Sequence, residues 1–181
     1  MCPRPAAKPP SGLLTIVVIT DIFEDVATKL QRELKQTKPF KSLEEEVILN
    51  IARTAEMLAS AGAEVFKRAD LTPTQYNALR ILRGAGEEGL SCGEISERMV
   101  TKDSDITRLL DRLEGRALIS RERPANNRRQ VITRITEEGL RVLAELDEPV
   151  EENHKRLVGH LGKERLKTLV QLLEALRSRP E

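Results

Sequence analysis

Apolar residues recur with helical spacing over most of this chain, and with strand-like spacing in only one stretch. From Asp21, Ile22, Val26, Leu30 and Leu34 follow at intervals of four, which predicts a helix to about Lys35. Thr37-Lys38-Pro39 closes it, because the residue before proline avoids helical geometry. Ser42-Leu43-Glu44-Glu45 has the form of a capping box, and Val47, Ile51, Ala55 and Leu58 then line one face of a helix to about Lys67. Thr72-Pro73-Thr74-Gln75 starts another, with proline at the first position where its missing N–H costs nothing. Ser91-Cys92-Gly93-Glu94 opens a short one, with Ile95 and Met99 inward.

The sharpest pattern follows. Ile106, Leu109, Leu110 and Leu113 form a single apolar stripe and leave Asp105, Thr107, Arg108, Asp111 and Arg112 outside it. The period then changes. Leu118 to Arg123 and Gln130 to Ile135 are short runs with β-branched residues, separated by Pro124-Ala125-Asn126-Asn127-Arg128-Arg129, which is turn chemistry; together they predict a hairpin. Thr136 caps a long helix bearing Leu140, Leu143, Leu157 and Val158, in which Pro149 should produce a kink or a split. Gly162 punctuates, and Leu166, Leu169, Val170, Leu173 and Leu176 make a last amphipathic helix. The fold class is mainly α with one small β-hairpin.

Composition removes several function classes. The 181 residues suit one domain with an appendage, and 39% hydrophobic content supports a core. Phe23, Phe40, Phe66 and Tyr76 are the only aromatics, so the chain after Tyr76 offers no ring on which a single-stranded base could stack. Cys2 and Cys92 make no disulfide framework and fit a reducing, cytoplasmic setting. His154 and His160, six residues apart, point to different faces of a helix, so no metal site is expected. The apolar run from Leu13 to Ile19 is too short to span a bilayer, and the prolines around it are atypical of a secretory leader.

The net charge of +1, taken alone, argues against a polyanionic partner, but its distribution does not. From Arg116 to Arg134 six arginines stand against Glu122 alone, a net of +5, and from Glu137 to Glu152 seven acids stand against Arg141, a net of −6. Local potential is what a polyanion feels. Two short helices followed by a hairpin also spell a helix-turn-helix with a wing. A helix held by a narrow apolar stripe can present its other face, here Ser104, Thr107, Arg108 and Arg112, to a major groove about 12 Å wide.

From about Ser42 to Arg177 the order of elements resembles the MarR family of bacterial transcriptional regulators. The resemblance is densest from Ser104 to Leu143, which is similar to the family's recognition helix, its wing with paired arginines, and the start of the next helix at Ile135-Thr136-Glu137-Glu138-Gly139. It implies an obligate homodimer with intertwined terminal helices and two winged lobes on a pseudo-palindromic operator. It also implies a small, often phenolic or anionic effector bound between the dimerisation helices and the lobe. Carried onto this chain, the recognition-helix positions are Ser104, Thr107, Arg108, Asp111 and Arg112, and the wing positions are Arg128 and Arg129. Two departures stand out. Asn127 replaces the family's usual aspartate, which weakens any brace of the wing, and Ala117 stands where glycine is usual, so Gly115 is expected to supply the chain reversal.

The expectation is a winged helix-turn-helix protein with dimerisation helices from both ends of the chain. Residues 1–36 form a partly disordered extension with one possible helix. Residues 42–178 form the winged-helix domain, with a DNA-binding lobe at 72–135 and dimerisation helices at 42–67 and 137–178. Ser91, Asp105, Asn126 and Asn127 complete the expected DNA-contacting set. The expected partners are double-stranded DNA, a second copy and an unidentified small-molecule effector, with no cofactor, membrane or catalytic activity. The alternative is a winged-helix protein-interaction module without sequence-specific DNA binding, since this fold does not fix its ligand. Gly84-Ala85-Gly86-Glu87-Glu88-Gly89 reads literally as a dinucleotide fingerprint, but a helix precedes it and two glutamates would repel phosphate; a flexible loop between helices is expected. Cys92, in a first helical turn, is read as a passive small residue rather than a redox sensor.

Overall fold

The computed structural model describes residues 28–101, 105–123 and 130–178. The chain divides into two compact units, Met1–Ala52 and Arg53–Glu181. In the first, α1 (Lys29–Glu33) is shorter than the periodicity predicts. Thr28 has extended backbone angles and caps it: its hydroxyl accepts from the Gln31 N–H while the Gln31 side chain accepts from the Thr28 N–H. A helix continuous from Asp21 is therefore broken at Thr28, and the part of that expectation before residue 28 lies outside the described residues. The helix stops at Leu34 because Lys35 takes a left-handed conformation, well before Pro39.

The helix α2 (Leu43–Phe66) begins in the first unit and ends in the second. Ser42 accepts from the Glu45 N–H at 3.3 Å, but Glu45 reaches back to the Lys41 N–H rather than to Ser42, one residue beyond an ordinary capping box. A 3-10 turn at Lys67–Ala69 and a left-handed Asp70 lead to α3 (Pro73–Ala85), where the Thr72/Gln75 box is complete.

The rest of the second unit is built around one apolar core. β1 (Leu90–Ser91), α4 (Cys92–Arg98), α5 (Ile106–Gly115), β2 (Ile119–Glu122) and β3 (Ile132–Ile135) follow in order. Two long helices, α6 (Glu137–Val158) and α7 (Gly162–Arg177), close the chain. Leu79, Leu82, Ile95, Leu110, Leu113 and Leu143 are essentially solvent-free, so α3, α4, α5 and α6 share a single interior. Phe66 and Tyr76 stack there with ring centroids 4.3 Å apart.

The hairpin is present, with Ile119 opposite Ile135 and Glu122 opposite Ile132. Beyond the expected hairpin, β1, only two residues long, pairs antiparallel with β3, making a three-stranded sheet in the order β1-β3-β2. The glycine-rich segment feeds this strand. Gly84 and Ala85 end α3, Gly86–Glu88 make a 3-10 turn, and Gly89 presses against β3, where a Cβ would sit 2.6 Å from the Thr133 carbonyl oxygen. It is a tight helix-to-strand connection rather than a loop between helices.

Of the two outcomes expected at Pro149, the split does not occur: α6 runs continuously from Glu137 to Val158, and burial of Leu146 and Val150 on either side holds the helix where the proline removes one backbone bond. Gly115 stays inside α5, and the reversal after it is made by Ala117 at φ +55°. No described helix is long and apolar enough to cross a membrane.

Candidate nucleic-acid interface

The apolar stripe places α5. Leu109, Leu110 and Leu113 are buried, so the residues between them point away from the core. Asp105 is its N-cap, accepting from the Arg108 N–H at 3.2 Å, and its carboxylate also pairs with Arg108 Nε at 3.1 Å. Arg108 nevertheless keeps 78% of its side-chain surface exposed. Arg112 is exposed and has no ion-pair partner among the described residues. Ser104, expected on this helix, and Asn126, Asn127, Arg128 and Arg129, expected at the wing tip, lie outside the described residues.

Folding engages several of the charges that make the sequence between Arg116 and Arg134 so basic. Arg121, on β2, donates from Nε to Glu114 at 2.8 Å and from its NH2 group to Asp111 at 2.6 Å and again to Glu114. These carboxylates, Glu114 foremost, raise the Arg121 pKa. Asp111, expected among the DNA contacts, thus has its carboxylate on the wing sheet. Arg134 pairs with Glu122 and donates to the Glu87 carbonyl, and Arg116 donates to the carbonyls of Ala69 and Asp70. Arg123 remains exposed. The basic segment is therefore partly a set of structural ties, which primary sequence could not show because every partner but Glu122 lies outside the segment.

Ser91 is engaged too. Its hydroxyl accepts from the Glu94 N–H at 3.3 Å and donates to the Glu94 carboxylate at 2.6 Å, and its own N–H donates there at 2.8 Å. These bonds hold the Glu94 pKa below the ordinary carboxylate value. They also tie the first turn of α4 to the end of β1. Cys92, in the same turn, is half-buried against the core. Thr136 joins lobe and long helix: its hydroxyl accepts from the Gly139 N–H at 3.1 Å and donates to the Ala117 carbonyl at 2.7 Å.

The sequence relatives agree with this geometry. The MarR family model matches residues 71–131, from the start of α3 to the edge of β3. A MarR transcription factor from Planctomyces limnophilus, known as a crystal structure, is 39% identical, with 76% of this chain and 99% of that chain covered and a TM-score of 0.59. The HTH-type transcriptional regulator FarR of Neisseria gonorrhoeae is 26% identical over 138 residues, covering 76% of this chain and 93% of FarR. A mutant MarR from E. coli, solved in complex with operator DNA, shares the fold with a TM-score of 0.66 at 23% identity, over 75% of this chain and 99% of that one.

Proposed function

The chain belongs to the MarR family of transcriptional regulators, and on that premise we propose that it is a homodimeric, sequence-specific binder of duplex DNA, acting as a ligand-responsive repressor on a pseudo-palindromic operator. One observation carries the reading. The helix α5 is fastened by Leu109, Leu110 and Leu113 and turns Thr107, Arg108 and Arg112 outward beside a wing sheet.

Thr107, Arg108 and Arg112 approach base edges, where an arginine–guanine pair contributes about 1–3 kcal/mol of discrimination. Asp105 caps the start of the same helix, and Ser104, which precedes it in the sequence, belongs to the same contact set. Arg128 and Arg129, with Asn126 and Asn127, meet the phosphate backbone or minor groove, and Ser91 lies at the start of α4, the helix before the recognition helix. Helices within 42–67 and 137–178 form the dimer. The support for this is apolar surface left uncovered in the single chain: Leu43, Val47, Ile48 and Met57 on α2, and Leu169, Val170, Leu172 and Leu176 on α7, which buries no residue of its own. Two-fold symmetry spaces the half-sites by about 10 bp. An effector has an open cleft of about 290 Å³ between α2 and α6, lined by Arg68, Glu152, Asn153 and Arg156 among others.

The test is selection from a random duplex pool, followed by titration of the enriched duplex and of a random duplex. Arg108→Ala should weaken the first more than the second. Equal losses would remove Arg108 from base readout, and a wild-type protein that enriches nothing would overturn the reading. Sedimentation at micromolar concentration should show a dimer.

A further inference from the structure

We propose that Arg121 is a positioning residue for sequence readout: it holds Asp111 and Glu114, fixes the roll of α5 about its axis, and so gives Asp111 a role within the protein rather than on the DNA. The proposal rests on the DNA-binding reading above.

An apolar stripe anchors a helix without fixing its rotation closely, because hydrophobic contact is non-directional. At 100° per residue, Asp111 and Glu114 lie 60° apart on one flank of that stripe, and Arg108, Arg112 and Arg116, spaced by four, form a row on the other. A roll would move that row bodily relative to a groove. Arg121 reaches the first flank from β2 and grips two carboxylates through a planar fork, which is directional in a way the leucines are not. Its side chain is only 23% exposed, whereas Arg108 is 78% exposed, so Arg121 is the arginine withdrawn from solvent rather than the one offered to it. The second flank is tied as well, by Arg116 donating to the Ala69 and Asp70 carbonyls. The recognition surface between the flanks is held from both sides, and the wing sheet supplies one of the two holds.

The experiment compares wild type, Arg121→Lys, Asp111→Asn and the double variant on two duplexes of equal length, one enriched by the wild-type protein from a random pool and one of random sequence. Lysine preserves the charge and loses the fork, so long-range attraction to DNA is nearly constant. Circular dichroism melts run in parallel confirm that each variant is folded at the assay temperature. Arg121→Lys should lose about tenfold or more on the enriched duplex and less than about twofold on the random one. Asp111→Asn, which leaves the bonds to Glu114, should lose part of that specificity, and the double variant should be little worse than Arg121→Lys alone, because both changes act on the same hold. Full specificity in a folded Arg121→Lys variant, equal losses on both duplexes, or additive losses in the double variant would each overturn the proposal. Failure of the wild-type protein to enrich any duplex is a different result, which would overturn the DNA-binding reading and this proposal with it.

Discussion

Arg83 and Asp147 meet in a two-point ion pair, with guanidinium nitrogens 2.9 and 3.0 Å from the two carboxylate oxygens. The pair joins α3 of the lobe to α6, the long helix that leaves it. Both side chains are substantially exposed, at 35% and 50%, so water and salt screen the attraction. Asp147→Asn should therefore cost less than about 1 kcal/mol in thermal unfolding, and the cost should shrink as salt is raised. A loss of several kcal/mol would mean that the contact governs how the lobe and the helix hold together.

Ala117→Gly should stabilise the protein. The left-handed conformation costs a residue with a Cβ roughly 1–2 kcal/mol, and glycine is free of that cost. The backbone bonds that make the turn, from the Ala117 N–H to the Glu114 carbonyl at 2.8 Å and from the Thr136 hydroxyl to the Ala117 carbonyl, do not depend on the side chain. The expected gain is about 1 kcal/mol, read as a rise of a few degrees in Tm. Ala117→Val should lower Tm.

Gly139→Ala should be strongly destabilising, although alanine is the better helix former. A Cβ there would collide with the Leu118 carbonyl oxygen, the same oxygen that accepts the Thr136 N–H. Relieving the clash must shift backbone, and overpacking of this kind costs about 1–3 kcal/mol or more. A melting temperature equal to wild type would refute the close approach.

Acidification should weaken the start of α4. The Glu94 pKa is depressed in the folded protein, first by the Ser91 hydroxyl and then by the Ser91 N–H. The stability it contributes is fully present above the unfolded pKa and is lost as pH falls through the lower folded value. Glu94→Gln should remove this contribution, so the gap between variant and wild-type stability narrows as the pH drops below the ordinary carboxylate range. Ser91→Ala removes the cap itself and should cost about 1 kcal/mol at neutral pH.

Local chemistry was readable in the sequence, and contacts between distant elements were not. The boxes at Thr72 and Ser91, the stripe of α5 and the cap at Thr136 depend on residues three or four apart, and each is where its pattern places it. The box at Thr28 was equally local, but the longer apolar series through Ile22 and Val26 masked it. Two-residue β1 carries no periodicity at all; only pairing with β3 makes it a strand. Ala117 shows the same limit from another side. Its left-handed geometry goes with the bond that the Thr136 hydroxyl makes to its carbonyl from a distant part of the chain, while Gly115, the better residue for a reversal, stays in the helix. Within the candidate site, Thr107, Arg108 and Arg112 were identifiable from the face they occupy. The engagement of Asp111 was not, because its partner Arg121 comes from β2.

The position of β3 between two neighbours has a consequence for how this lobe can vary. In an isolated hairpin the connecting turn sets the strand register, so changes in the turn shift every residue beyond it. Here β1 holds Ile132 and Thr133 from one side while β2 holds β3 from the other, and Gly89 packs closely against that strand. Alignment is thus decided outside residues 124–129. That segment can change in composition, or gain a residue, with the strands left in place, which makes it the part of the lobe most open to evolutionary retuning and to deliberate grafting.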